Sequence, residues 1–484
     1  MALSLAPELP DSLDWLNGPA PVRPVSQRGW LTALAFVNAG STWSIQKLHD
    51  VQALCARHPR RLRAFGVHVP RFDHERDPRH VLRRLQRHGI TLPVAHDADW
   101  VAWQRFGIRA WPTVVLVDGD GRIQATLSGD VPVTDLDLRI HAFESQFLPD
   151  FDSDLDSDRD VEEGAARAAF RQREHEAPLR FPVGLVVTDQ YLYVADSGHH
   201  RVLECSHEGR VLRQFGSGDQ GFMDGPQDQA AFCRPHGICL LRDVLYVADT
   251  GNHAVRRINV RSGDVDTLCG SGRVGLPIEG DVTDPRAVSL DGPRAVAGVH
   301  DQLYIALAGD NRIWSYNLGH ARLACLAGSG ELSVRDGIGM TAAFAQPVAL
   351  AAVQQTVYVC DAAGSAIRSL QVRGQTTQTV VGQGPWQFGD TDGPRTSAQL
   401  QEPQAIALDP DAPVLWIADA GNGSLRSLRL GGGEVTTHAL PQRLNGPAGL
   451  AVGGGVVWIA DTDAHAVLRL DQRTGELHHL PIGE

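Results

Sequence analysis

Seven cysteines could carry thiol chemistry: Cys55, Cys205, Cys233, Cys239, Cys269, Cys325 and Cys360, with no Cys-x-x-Cys pair among them. Their odd number and wide spacing fit reduced, mostly buried thiols in a cytoplasmic protein. Ser41 and Ser44 head a helical pattern as Ser41-Thr42-Trp43-Ser44. A hydroxyl there is expected to cap the first turn. As a nucleophile it would need a positioned base, and no histidine or acid is expected beside it. The acidic run from Pro149 to Asp160 holds Asp152, Asp154 and Asp156, and Glu163 follows at the twelfth position counted from Asp152. That cadence suits a calcium loop, but Ser157 and Arg159 stand where such a loop takes Gly and an apolar residue. A solvated, self-repelling linker is therefore expected, with calcium binding as the alternative. His199, His200, His253 and His465 precede strand-like segments. They are expected to be hydrogen-bonded turn residues, a metal site being the alternative. The arginine- and histidine-rich span Arg57–Arg87 is expected to coat exposed helix faces.

The elements that position these residues fall into two halves. From Arg180 onward one pattern repeats behind Pro182, Pro235, Pro293, Pro347, Pro403 and Pro447, at intervals of 53, 58, 54, 56 and 44 residues. Each repeat has a second strand reading LYVAD, LYVAD, LYIAL, VYVCD, LWIAD or VWIAD. Large apolar and small residues alternate in them, as strands packed on both faces require. The period exceeds that of helical repeats and predicts a six-bladed β-propeller. The second strands close on Asp196, Asp249, Asp361, Asp419 and Asp461. These carboxylates are expected to accept bonds from amides of the following turn, where Gly198, Gly251 and Gly421 permit positive φ. A row of carboxylates lining a cation channel is the alternative. Blade three breaks the rule with Leu307, and the turn histidines are matched there by Asn311 and in blade five by Asn422.

Residues 30–147 alternate strands and helices. Strands are predicted over Leu31–Val37, Phe65–Val69, Thr113–Val117 and Ile123–Leu127, and helices over Ser44–His58, Pro78–His88, Trp100–Phe106 and Val133–Phe147. That order, closed by a hairpin and a helix, is the thioredoxin layout. Gly107-Ile-Arg-Ala-Trp-Pro-Thr113 resembles the thioredoxin cis-proline segment, with Pro112 as the candidate. Thioredoxins place Cys-x-x-Cys at the head of the first helix, where the dipole lowers the first thiol's pKa. Here Ser41 and Ser44 fill that slot, a degenerate redox position.

The two halves together resemble the NHL repeat-containing protein 2 family. The resemblance is carried by the blade-three stretch Tyr304–Trp314 and by the glycine-rich insertions Phe222–Gly225, Asp336–Gly339 and Phe388–Gly393. Ala343–Pro347, Leu480-Pro-Ile482, Gly66–Phe72, Asp97-Ala-Asp99 and Leu13–Asn17 add to it. The resemblance implies a thioredoxin-like domain fused to an NHL propeller, and it raises thiol-disulfide oxidoreductase or isomerase activity as an alternative function.

Composition bounds the rest. A chain of 484 residues exceeds one hydrophobic core, and 43% hydrophobic with 21% charged residues is ordinary for a globular protein. Net charge −13 argues against a nucleic-acid or anionic-membrane binder. No secretory leader is expected from residues 1–16, and no apolar run approaches the roughly 20 residues a membrane span needs. The expected domains are 1–148 thioredoxin-like, 149–178 an acidic linker with a short helix over 165–176, and 179–484 the propeller. The expected role is non-catalytic binding of a protein or peptide partner in the cytoplasm, without cofactor, nucleic acid or membrane. A metal-dependent propeller hydrolase or lyase is the second alternative.

Overall fold

The computed structural model describes residues 4–18, 30–59, 61–129, 131–147, 177–275, 280, 282 and 284–483. Asp152, Asp154, Asp156, Glu163 and the helix expected over 165–176 lie outside the described residues. The chain forms two compact units, Met1–Arg167 and Ala168–Glu484. Among the described residues no helix is long and apolar enough to cross a membrane.

The first unit runs β1 (Asp14–Leu16), β2 (Leu31–Val37), α1 (Thr42–Arg57), β3 (Leu62–His68), α2 (Pro78–Arg87), β4 (Val94–His96), α3 (Val101–Arg105), β5 (Thr113–Val117), β6 (Ile123–Ser128) and α4 (Val133–Phe147). Its sheet has the order β1-β4-β3-β2-β5-β6. Strands β2, β3 and β4 are parallel, and β1, β5 and β6 are antiparallel to their neighbours. This is a thioredoxin-like fold. Every residue of β2 is buried, because helices cover both faces of the sheet. Alternation divides it: Ala33, Ala35 and Val37 pack with Leu48, Val51 and Leu54 of α1 and Leu136 and Ile140 of α4. Leu34 and Phe36 pack with Ala102 and Trp103 of α3. Strand β3 begins at Leu62, three residues before the predicted Phe65, and β1 and β4 were not predicted. Each of those two holds only three residues, too few for alternation to register.

Among its described residues the second unit forms six antiparallel sheets, over 182–215, 235–269, 293–327, 347–381, 405–437 and 449–480. It is a six-bladed β-propeller. Apolar clusters lie between neighbouring sheets; Leu185, Val194 and Leu203 of blade one pack with Ala451, Trp458 and Leu480 of blade six. The innermost strands approach closely where residues are small. A Cβ on Gly184 would meet the His236 carbonyl oxygen at 2.2 Å, and one on Gly237 the Ala295 Cα at 2.7 Å.

Candidate functional site

The carboxyl ends of β2, β3 and β4 are where an open parallel sheet offers its binding crevice. Asn38, immediately after β2, organises this end. Its Nδ2 donates to Val69 O at 3.0 Å and to Glu75 Oε2 at 2.7 Å, and its Oδ1 accepts from Gly40 N at 3.0 Å. Glu75 Oε2 also accepts from Arg71 N at 2.6 Å and Phe72 N at 3.0 Å. Arg84 Nη1 lies 3.6 Å from Glu75 Oε1, so a buried carboxylate is neutralised by a guanidinium and by main-chain donors.

That network holds the lead-in to α1. Ser41 is the N-cap, with φ −89° and ψ 122°, and its side chain accepts from Ser44 N at 3.3 Å. Ser44 Oγ accepts from Asn38 N at 3.2 Å. Both serines are buried, and among the described residues neither hydroxyl has an imidazole or carboxylate within hydrogen-bond distance. Cys55 is the sole cysteine of this unit. It sits eleven residues beyond Ser44 on α1, roughly 16 Å along the axis, and burial pushes its thiol up to about 12. The pole thus combines a capped helix with no accessible thiolate.

Thr113 pairs with Phe36, which brings Pro112 to the level of the end of β2. The Trp111–Pro112 bond is cis. Pro112 O accepts from Gly129 N at 2.8 Å, and the Trp111 ring packs edge-on against Trp100 and Trp103 with centroids 5.9 and 5.5 Å apart. Sequence reasoning missed a buried histidine pair at the same end of the sheet. His96 Nε2 donates to Arg76 O at 3.0 Å, so its Nδ1 accepts from His68 Nδ1, 3.2 Å away. Burial, the largest cause, holds His68 well below the ordinary imidazole range. The single residue His68 in an apolar strand gave no signal of a partner 28 positions away.

In the propeller the repeated aspartates bond an amide of the chain that leads into their own blade. Asp196, Asp249, Asp361, Asp419 and Asp461 each accept, through Oδ1, from the N–H two residues before their blade's proline: Arg180, Cys233, Ala345, Gln401 and Asn445, at 2.5–2.8 Å. The carbonyl of that same residue accepts from the second residue after the aspartate, as in Gly198 N→Arg180 O and Gly251 N→Cys233 O, both 2.8 Å. Turn and incoming chain are therefore tied in both directions. Gly198, Gly251 and Gly421 do not have positive φ. At the first two the reason for glycine is close approach, since a Cβ would meet Arg180 O or Cys233 O at 2.7 Å.

Positive φ falls instead on His200, His253, Asn311, Ser365, Gly423 and His465, at φ 48–60°. Gly423, rather than Asn422, is blade five's counterpart of these histidines; Asn422 Nδ2 donates to Asp419 Oδ2 at 2.8 Å. Five of the six carry a side-chain acceptor for the next blade. His200 Nδ1 accepts from Arg234 N, His253 Nδ1 from Gly292 N, Asn311 Oδ1 from Gln346 N, Ser365 Oγ from Glu402 N, and His465 Nδ1 from Phe181 N. These turn histidines are staples between blades.

The glycine-rich insertions are pinned by a second device. Arg256, Arg368 and Arg426 are fully buried. Arg256 joins Asp249 at 3.0 Å to Asp224 of the insertion at 2.8 Å, and Arg368 joins Asp361 at 3.3 Å to Asp336 at 2.9 Å. Arg426 joins Asp419 at 2.7 Å to Asp392 at 2.7 Å and also contacts Asp390. Thr267, Thr379 and Thr437 donate to the insertion aspartates at 2.7–2.8 Å. The clasps leave insertion tips exposed: Phe222, Met223, Ile338 and Met340. Blade three lacks the aspartate at Leu307; Asp310 pairs there with Arg312 and accepts from Trp314 Nε1 at 3.2 Å.

Residues 232–258 match the NHL repeat family. Over 503 residues the chain is 30% identical to Protein SUPPRESSOR OF QUENCHING 1, chloroplastic, of Arabidopsis thaliana, covering 97% of this chain and 47% of that protein. It is 28% identical over 531 residues to NHL repeat-containing protein 2 of Homo sapiens, covering 98% of this chain and 71% of that protein. The chain thus spans about half the length of the plant relative. A streptogramin B lyase structure superimposes with a TM-score of 0.41 at 11% identity, over 63% of this chain and 84% of that one. The similarity to these proteins runs along both units, the thioredoxin-like domain and the six-bladed propeller that contains the NHL repeat.

Proposed function

We propose that this protein is a non-catalytic binding or scaffold protein of the cytoplasm, taking a protein or peptide partner. The observation that carries the reading is the head of α1. Ser41 and Ser44 occupy the slots of a redox pair, and their oxygens accept from Ser44 N and Asn38 N. Serine has neither the acidity nor the valence for disulfide exchange. What is left at that pole is a rigid surface beside Pro112, of the kind that pairs with extended peptide. The propeller adds a second surface. Its insertions are held by buried arginines and expose Phe222, Met223, Ile338 and Met340, which suits recognition by loops on a rigid scaffold. The seven unpaired cysteines support a reducing compartment.

Cross-linking of the full chain in cells of its native host, followed by mass spectrometry, tests this. Cross-linked partner peptides are expected at the insertion tips or the 107–113 segment, and Phe222→Ser/Ile338→Ser should reduce them. Cross-links to no other protein, or ones unaffected by variants at either surface, would count against the proposal.

A further inference from the structure

At the end of α1 remote from Ser41, three side chains from two helices converge. His58 is the C-cap of α1, fixed by its own N–H donating to Leu54 O. Its Nε2 lies 2.9 Å from Asp137 Oδ1 on α4. His141 stands one helical turn beyond Asp137, and its ring meets that of His58 edge-on at 4.8 Å between centroids. One ligand atom from each of the three lies within 4.8 Å of the other two. Bonds of about 2.0–2.1 Å to a tetrahedral zinc place ligand atoms roughly 3.4 Å apart. Small rotamer changes would close the difference. We infer that His58, Asp137 and His141 form a zinc-binding site with three protein ligands and a fourth position open to water or to a donor group from a partner.

The chemistry of the set points to the metal. Two imidazoles and one carboxylate suit a borderline divalent ion, whereas calcium and magnesium take all-oxygen sets. Spacing of i and i+4 on α4 puts Asp137 and His141 on one face, so the helix itself presets two ligands. Arg57 Nη1 holds Asp137 Oδ2 at 2.5 Å, which leaves Oδ1 turned toward His58 and supplies the outer hydrogen bond that orients ligating carboxylates. A tie between the end of α1 and α4 needs only His58 and Asp137; His141 supplies the additional ligand. Because α1 holds sixteen residues from Thr42 to Arg57, roughly 24 Å, the site clamps two helices and does not act on the Ser41 pole.

The test is calorimetric titration of zinc chloride into the full chain after chelator treatment, with cobalt absorption as a second readout. Saturable binding is expected in the wild type. His141→Ala, at an exposed position that the fold tolerates, and Asp137→Asn should each weaken it by at least about tenfold. Cobalt should give visible bands that zinc abolishes. Zinc affinity unchanged in both variants, or neither heat nor cobalt bands in the wild type, would overturn the site.

Discussion

Phe181 donates its backbone N–H to His465 Nδ1 at 3.0 Å, across 284 positions of sequence, and its ring meets the same imidazole at 4.4 Å between centroids. The two residues close the ring, since Phe181 leads into the first blade and His465 follows the second strand of the last. Thr462 Oγ1 adds a second bond to Pro182 O at 2.8 Å. Removing the acceptor leaves a part-buried amide unpaired. His465→Ala is expected to cost about 1–2 kcal/mol in urea denaturation. His465→Asn should recover most of it, because Asn311 performs the same function in blade three. Equal loss in both variants would show that the ring contact, not the acceptor, matters.

The clasp in blade four predicts an asymmetry. Arg368→Met leaves Asp361 buried with its charge uncompensated and should cost about 3–5 kcal/mol. Asp336 is 52% exposed at the other end of the clasp. Asp336→Asn should cost about 1 kcal/mol or less, as partly exposed ion pairs do. Its effect should appear instead as faster amide exchange in the insertion over 335–341. Comparable losses would show that the guanidinium is not the organising element.

Acid should loosen the staples. Burial first, and then the Arg234 charge, push His200 and His253 down to about 4. In the unfolded chain each titrates near the ordinary 6.5. Between those values the unfolded state binds more protons, so stability is complete above pH 6.5 and declines as pH falls toward 4. The two contribute about 3 kcal/mol each at most. Burial pushes Asp249 and Asp419 up to about 6, with the opposite sign, since the folded state takes up protons there. The informative quantity is therefore a difference: His200→Asn/His253→Asn should lose less stability than wild type between pH 6.5 and 4. Parallel profiles would contradict the assignment of neutral, accepting imidazoles.

Gly40 tests the network at the head of α1. A Cβ there would meet Arg84 Nη1 and Glu75 Oε1 at 2.8 Å and Asn38 Oδ1 at 3.0 Å. Glu75 cannot simply swing away, because two main-chain amides and Asn38 hold it. Gly40→Ala should destabilise the first unit by about 1–3 kcal/mol and raise amide exchange at Asn38 and Ser44. A neutral substitution would mean that the network yields more readily than its hydrogen bonds imply.

Much of the fold was legible because two patterns carry it. The buried run Leu31–Val37 and the six second strands read directly as strands, and the prolines set the blade period. Less was legible where the cause lies between distant residues. The aspartate-to-amide bond spans 16 to 18 positions, so the following turn looked the nearer partner. The position of positive φ was missed because five of the six residues there are His, Asn or Ser and only Gly423 is glycine, their side chains being needed by the next blade. Asp224, Asp336 and Asp392 read as loop residues, since the arginines that hold them are 32 to 34 positions on. At the head of α1 the residue types were plain, but Asn38 and Glu75, which fix the serines' surroundings, gave no local signal. His58 caps α1 whereas Asp137 and His141 lie on α4, and only the α4 pair has a spacing that sequence displays.

The direct test of the account is insulin-disulfide reduction by the wild-type chain and by Ser41→Cys/Ser44→Cys, each cleared of contaminating thioredoxin. The wild type should show no turnover above buffer, and the double variant should gain it, since only the sulfurs are missing from the pole. Sustained turnover by the wild type would contradict the claim that hydroxyls have removed the chemistry.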